Sequence, residues 1–233
     1  MNVIITGASK GIGYALAKQF SKASQIRLYL LARTEKRLLK LKNECISLNA
    51  HAEIVPVTYD MENLIKDDLP EAIDCKHIDV LINNAGFLIR RDFKELSVDE
   101  IIGMTTVNFV APTLLIQNLL DKMGGKTPSH VINISSMGGY QGSSKFTGLS
   151  IYSASKAALA SLTECLAEEF KNENIFFNAL ALGAVQTEML NKAFPEYQAP
   201  ITADEMAEFI ADFAINGYKF FNGKILPVSV STP

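Results

Sequence analysis

Two rhythms of apolar residues alternate along this chain. Short apolar runs, rich in Ile, Val and Leu, recur at residues 2–6, 26–32, 52–57, 78–82, 130–134, 175–182 and 224–228. Their length predicts strands, and their nearly unbroken apolar character predicts strands buried on both faces. Between them lie longer stretches with apolar residues at three- and four-residue steps, as at Leu38, Leu41, Cys45 and Leu48. That spacing gathers the apolar side chains on one stripe of a helix. It predicts helices over 12–23, 34–48 and 151–172, and a short one within 62–72. Two more helices announce their starts. Ser97-Val98-Asp99-Glu100 and Thr202-Ala203-Asp204-Glu205 have the form of a capping box, in which each side chain satisfies a free N–H of the first turn. They open helices to about 123 and about 215. Strand–helix alternation of this kind predicts an α/β fold: a doubly wound parallel sheet of about seven strands with helices on both faces. Ligands of such folds sit at the carboxyl ends of the strands, where the strand order reverses.

Composition narrows the partners. The 233 residues fit one domain, 1–233, with 48% apolar and 20% charged residues. Lys and Arg number 22 against 25 Asp and Glu, a net charge of −3, which lacks the basic excess that supports nucleic-acid binding. Cys45, Cys75 and Cys165 are odd in number and form no Cys-x-x-Cys, so they read as reduced thiols of a cytoplasmic protein. His51, His77 and His130 have no metal-ligand spacing, and no metal site is expected. No apolar run reaches the roughly 18 residues of a membrane helix. Thr6-Gly7 follows the first apolar residues too soon for a signal peptide.

The chemistry-bearing residues fall in the loops after the strands. The first strand runs into Thr6-Gly7-Ala8-Ser9-Lys10-Gly11-Ile12-Gly13. Glycines let a backbone turn tightly against a pyrophosphate, and the following helix start offers free N–H groups and a favourable dipole. Gly7 and the run Ser9, Lys10, Gly11, Ile12 and Gly13 therefore form a candidate dinucleotide loop. The second strand ends Leu31-Ala32-Arg33. A site that prefers NAD(H) usually carries an acid here for the ribose 2′-hydroxyl. Arg33 and Lys10 instead suit a 2′-phosphate, so NADP(H) is expected over NAD(H); the alternative is that both are solvated surface cations. After the fourth strand, Asn84, Ala85 and Gly86 of Asn83-Asn84-Ala85-Gly86 can hold backbone beside an adenine ring.

The fifth strand leads to Ser135-Ser136, and then comes Tyr152-Ser153-Ala154-Ser155-Lys156. Residues four apart share a helix face, so Tyr152 and Lys156 are neighbours. A phenol titrates near 10. A nearby ammonium should lower that value and suit Tyr152 to proton exchange. Ser136 would hydrogen-bond a substrate oxygen on which charge develops.

Taken together, Thr-Gly-x-x-x-Gly-x-Gly, Asn-Asn-Ala-Gly, an Asn in the next helix, Ser and Tyr-x-x-x-Lys resemble the short, single-domain type of the short-chain dehydrogenase/reductase family. The resemblance runs from residue 2 to about residue 227. It implies a Rossmann-like fold and hydride transfer between NADP(H) and a carbonyl or alcohol substrate. It implies catalytic roles for Asn108, Ser136, Tyr152 and Lys156, with Asn108 anchoring a water to the Lys and Lys156 holding the nicotinamide ribose. It adds Asp60 and Met61 at the adenine, and Gly183, Val185 and Thr187 at the nicotinamide. It also implies a homodimer or homotetramer built on the two long helices and the last strand.

The chain departs from that pattern in three places. Leu182-Gly183 stands where Pro-Gly is usual. The interval from Ser136 to Tyr152, 16 residues, is a few residues longer than usual, which enlarges a loop within 141–150. Val228-Ser229-Val230-Ser231 replaces a Gly-rich end. Residues 184–200 should cover the substrate. There Met189, Leu190, Phe194 and Tyr197, with Met137, Phe146 and Leu149, either line an apolar pocket or pack on one another. Arg90-Arg91 reads as a solvated pair that could instead attract an anionic substrate. A non-catalytic NADP(H)-binding sensor or scaffold would not need Ser136, Tyr152 and Lys156 together. A nucleotide-sugar epimerase would need a further substrate domain, and 46 residues follow Thr187 in the 233.

Overall fold

In the computed structural model, which describes residues 1–65 and 70–230, the apolar runs become strands in sequence order. These are β1 (Asn2–Thr6), β2 (Arg27–Ala32), β3 (Glu53–Thr58), β4 (Val80–Asn83), β5 (Ser129–Ser136) and β6 (Ile175–Leu182). A two-residue pair, β7 (Val185–Gln186) and β8 (Ile201–Thr202), stands apart, and β9 (Lys224–Val228) closes the chain's regular structure. The helices are α1 (Gly11–Ser21), α2 (Glu35–Leu48), α3 (Val98–Thr105), α4 (Ala111–Leu119), α5 (Ser150–Glu169), α6 (Glu188–Ala193) and α7 (Ala203–Asn216). The main sheet has seven strands in the order β3-β2-β1-β4-β5-β6-β9, and every adjacent pair is parallel. The order reverses between β1 and β4, which makes the carboxyl ends of those strands the ligand crevice of a doubly wound sheet.

Side-chain alternation explains the two covered faces. Val3 and Ile5 of β1, with Leu28 and Leu30 of β2, pack on Leu16 and Phe20 of α1, Leu38 and Leu41 of α2, and Ile210 of α7. Ile4, Tyr29 and Leu31 point the other way, into a cluster with Leu115, Ile116 and Leu119 of α4. Each such fully buried side chain contributes roughly 1.5–3 kcal/mol. A polar rung crosses this apolar frame. Asn83 Nδ2 of β4 donates to Asn133 Oδ1 of β5 at 2.8 Å, and Asn133 Nδ2 donates to Thr163 Oγ1 of α5 at 2.9 Å. Both bonds are buried, so they fix α5 in register over β4 and β5.

Three sequence expectations need adjustment. The helix expected to run on to about 123 is α3, a π-helical turn at Thr106–Val110, α4 and a closing 3₁₀ turn at Leu120–Lys122. Pro112 supplies the reason. It has no N–H for the carbonyl of Asn108, four residues earlier, and its ring crowds that carbonyl, so the turn widens. The short helix expected within 62–72 is a 3₁₀ turn at Met61–Ile65; residues 66–69 of that span lie outside the described residues, as does Ser231. The strand expected over 78–82 starts at Val80, because the Ile78 N–H donates to the Lys122 carbonyl instead of joining the ladder.

His130 is locked neutral inside the sheet. Its Nδ1 faces the Ala214 carbonyl at 3.0 Å, and its Nε2 faces Asn178 Nδ2 at 3.0 Å. Nδ1 must therefore carry the proton, and Nε2 accepts. Burial draws its pKa from 6.5 down to about 4. The folded value lies below the unfolded one, so the unfolded chain holds the extra proton between pH 6.5 and 4. Stability is therefore lost as pH falls through that window. In urea unfolding, His130→Asn should flatten this dependence by up to about 1.4 kcal/mol per pH unit. An unchanged slope would mean that His130 does not titrate on unfolding.

Candidate active site

The loop after β1 is knitted to the loop after β4. Thr6 Oγ1 accepts the backbone N–H groups of Asn84 and Ala85 at 3.0 and 2.9 Å, and Asn84 Nδ2 donates to the Thr6 carbonyl at 2.9 Å. Ala8 N–H donates to the Leu31 carbonyl at 3.1 Å and ties the same loop to β2. A Cβ on Gly13 would stand 2.4 Å from the Gly7 carbonyl oxygen, so only glycine lets α1 approach the loop this closely. Asn84, Ala85, Gly7 and Gly13 are thus brought together as expected.

The start of α1, like those of α2 and α5, has no side-chain cap, whereas α3, α6 and α7 do. Ser97 and Thr202 cap α3 and α7 with complete boxes, and Thr187 caps α6 through a bond from Leu190 N–H at 3.2 Å. The residue before α1 is Lys10, which gives no side-chain cap, and the first turn carries no acid. The N–H groups of Gly11, Ile12 and Gly13 therefore open a helix end suited to an anion. This glycine-lined cradle fits the pyrophosphate of a dinucleotide.

Around the end of β2 the structure gathers cations. Arg33 is exposed, with Nη1 3.9 Å from Asp60 Oδ2. Asp60 Oδ1 also accepts the Glu62 N–H at 3.2 Å, while the side chain of Met61 is buried in the core. Arg37, on the first turns of α2, lies with Lys10 beside Glu188. The sequence reading missed Arg37, although it stands four residues after Arg33 on the predicted helix.

Tyr152 and Lys156 rise from the first turns of α5. Lys156 is 3% exposed, and its Nζ donates to the Ile134 carbonyl at 2.7 Å. Burial pulls its pKa from 10.5 down to about 8. The Tyr152 phenol moves upward, because burial outweighs the opposing hydrogen bond from Ser136. This corrects the expected depression of the phenol by Lys156: the ammonium is turned toward Ile134, and burial governs the phenol. Tyr152 is therefore protonated at neutral pH. Ser136 Oγ also accepts the Gly138 N–H at 3.2 Å, which orients the hydroxyl.

Asn108 sits in the π-helical turn with no exposure. Its Oδ1 accepts the Phe87 N–H at 2.8 Å, and its Nδ2 donates to the Phe87 carbonyl at 2.8 Å and to Ser155 Oγ at 3.1 Å. Ser155 Oγ in turn donates to the Tyr152 carbonyl at 2.8 Å. The side chain thus clamps the loop after β4 onto α5. The role of Ser155 went unread, though its place in Tyr-x-x-Ser-Lys put it one turn from Tyr152.

Gly183 donates its N–H to Val228 at 2.9 Å, and Val185 is buried in β7. From there α6 leans over the crevice. The Thr187 methyl lies 3.4 Å from where a Gly11 Cβ would be, and Met189 Cε lies 3.8 Å from the same point at Gly86. Lys156 Nζ is 3.7 Å from that Gly86 point, so Met189 and the Lys156 ammonium meet over Gly86. Arg90 bridges the two sides of the mouth. Its Nη1 donates to the Ala193 carbonyl at 3.0 Å, and its guanidinium lies 4.4 Å from the centre of the Phe194 ring. Its stem rests on Gly148, whose φ of +82° and close neighbours leave no room for a side chain. The longer loop is folded rather than open: Lys145 Nζ donates to the Gly138 and Tyr140 carbonyls at 2.9 and 2.7 Å. Leu149 is buried there and Phe146 half-buried.

The model of the short chain dehydrogenase family matches residues 1–198. The chain is 30% identical over 192 residues to the dehydrogenase/reductase SDR family protein 7-like of Drosophila melanogaster, covering 80% of this chain and 58% of that one. It is 29% identical over 224 residues to the NADP-dependent 3-hydroxy acid dehydrogenase of Schizosaccharomyces pombe, covering 89% and 84%. Its fold superposes on levodione reductase with a TM-score of 0.85 at 23% identity, over 97% of this chain and 95% of that one.

Replacing Asn108 with Ala should leave the Phe87 N–H and carbonyl without their partner and cost about 1–3 kcal/mol of stability. Urea unfolding of Asn108→Ala reads this directly. A loss below about 0.5 kcal/mol, the surface-substitution range, would contradict the clamp.

Proposed function

The chain belongs to the short-chain dehydrogenase family of NAD(P)-dependent oxidoreductases, and from that premise we propose that residues 1–233 form one catalytic domain moving a hydride between NADP(H) and a small-molecule carbonyl or secondary alcohol. The observation that carries this reading is the joining of Ser136 to Tyr152, one helical turn from the buried Lys156. It lies at the carboxyl end of the sheet, alongside the uncapped start of α1.

When bound, the nicotinamide supplies or accepts the hydride. The chain's own residues handle the oxygen and its proton. Ser136, oriented by the Gly138 N–H, holds the carbonyl oxygen as negative charge grows there. Tyr152, protonated at neutral pH, gives that oxygen its proton in the reductive direction. Lys156 is a buried cation one turn along the same helix face, and its ammonium, held at the Ile134 carbonyl, would grip the nicotinamide ribose. Asn108 keeps the π-helical turn and the start of α5 together. Gly7, Ser9, Lys10, Gly11, Ile12 and Gly13 would hold the pyrophosphate. Asp60, Met61, Asn84, Ala85 and Gly86 would meet the adenosine side, and Gly183, Val185 and Thr187 the nicotinamide side.

Preference for NADP(H) is supported by Arg33, Lys10 and Arg37 around the end of β2, where Ala32 takes the place of an acid. The relative named as NADP-dependent points the same way. A homodimer or homotetramer is supported by apolar side chains left exposed on α3 and near β9, with Ile102 57% and Phe220 79% exposed. Cytoplasmic location is supported by three free thiols. Among the described residues, no helix is long and apolar enough to cross a membrane. A net charge of −3 gives no support for nucleic acid as a partner.

Loss of NADPH absorbance across a panel of ketones, aldehydes and hydroxy acids should find a substrate. Tyr152→Phe should then slow turnover at least about 100-fold, with NADPH affinity nearly unchanged; turnover at the wild-type rate would overturn the mechanism. Titrations followed by cofactor fluorescence should show NADPH binding more tightly than NADH, and the opposite order would overturn the cofactor reading. Light scattering at micromolar concentration should give two or four chains' mass, and monomer alone would overturn the oligomer.

A further inference from the structure

One acid faces the cations that the cofactor reading reserves for a phosphate. Glu188 is the first residue of α6, and its Oε2 lies 4.0 Å from Lys10 Nζ and 3.6 Å from Arg37 Nη1. A single carboxylate oxygen thus stands between a cation of the dinucleotide loop and a cation of α2. Among the described residues, no other acid comes within 4.0 Å of either. The position is built into the fold: Thr187 caps α6 and sets its methyl against Gly11, so the first residue of α6 stands over the start of α1.

We propose that Glu188 is a specificity-determining residue, a carboxylate of the chain itself that occupies the Lys10–Arg37 pair and competes with a 2′-phosphate for it. This rests on the reading that Lys10 and its neighbours face the adenosine ribose. The pairs are half exposed, with Lys10 51%, Arg37 50% and Glu188 62% open to solvent, so each is weak. A phosphate carries more charge and more acceptor oxygens than one carboxylate and displaces it. Binding of a 2′-phosphorylated cofactor then includes the cost of removing Glu188, and binding of the unphosphorylated cofactor does not. Glu188 therefore narrows the discrimination that the cations alone would give. It also ties the start of α6, whose next residue Met189 overhangs Gly86, to the occupancy of the phosphate site. The plainer role, an acid complementing the α6 dipole, predicts no difference between the two cofactors.

The test needs no substrate. The chain has no Trp, so NADPH and NADH binding can be followed by cofactor fluorescence without that background. Glu188→Gln should tighten NADPH about two- to fivefold and leave NADH nearly unchanged. In a Lys10→Ala/Arg37→Ala background, the gain from Glu188→Gln should vanish. Unchanged or weaker NADPH binding, an equal gain for NADH, or a gain that persists without the two cations would each overturn the proposal. If the wild-type chain prefers NADH, the NADP(H) reading falls, yet a phosphate-selective gain in Glu188→Gln would still establish the competition.

Discussion

The site depends on one buried ammonium. Lys156 is almost fully withdrawn from water, and its ammonium donates to the Ile134 carbonyl near the end of β5. Taking a cation out of water is unfavourable, and the fall of its pKa from 10.5 to about 8 measures the penalty. The folded value is the lower one, so the penalty is complete below about pH 8 and gone above 10.5. It amounts to roughly 3 kcal/mol. A group that weakens the fold at neutral pH needs surroundings that over-determine its place. Ser135 Oγ donates to the Lys156 carbonyl, the Asn133–Thr163 bond holds α5 to β5, and Asn108 with Ser155 fixes the turn before it. Such burial is typical of functional rather than structural lysines.

From that constraint the other parts follow. Burial raises the Tyr152 phenol and lowers the Lys156 ammonium, so the proton affinities of the pair are driven apart. On the phenol, desolvation acts opposite to what charge proximity was expected to do. Beside them Thr6 and Asn84 tie the loop after β1 to the loop after β4, and Gly7 and Gly13 let the backbones there approach closely. Over the crevice lies α6, joined to the start of α1 through Thr187 and Glu188 and to the loop after β4 through Phe194 and Arg90. One short segment thus touches both halves of the site.

The sheet was legible because each strand is an apolar run of the right length, and the two capping boxes marked α3 and α7 to the residue. The motif residues were legible because their spacing fixes their faces: Tyr152 and Lys156 do share one side of α5. The break at Thr106–Val110 was hidden because helical periodicity is nearly continuous through it. Pro112 was the signal, since a proline in the first turn of α4 denies a donor to Asn108. The long-range pairs were not legible. Glu188 meets Lys10 and Arg37 across more than 150 residues, and Arg90 reaches Ala193 across 103. Only the folded chain brings them together. The sign of the Tyr152 shift was missed because burial depends on the whole surrounding, not on the spacing of two residues.

The central claim is that Lys156 is a desolvated ammonium that gives up its proton near neutrality. NMR of lysine side-chain carbons in the cofactor-free protein measures this directly. One lysine signal, missing in Lys156→Met, should titrate at a pKa of about 8, well below the ordinary lysine value near 10.4. Titration of that signal at 10 or above would show that the ammonium is solvated, and the account of the site would fail with it.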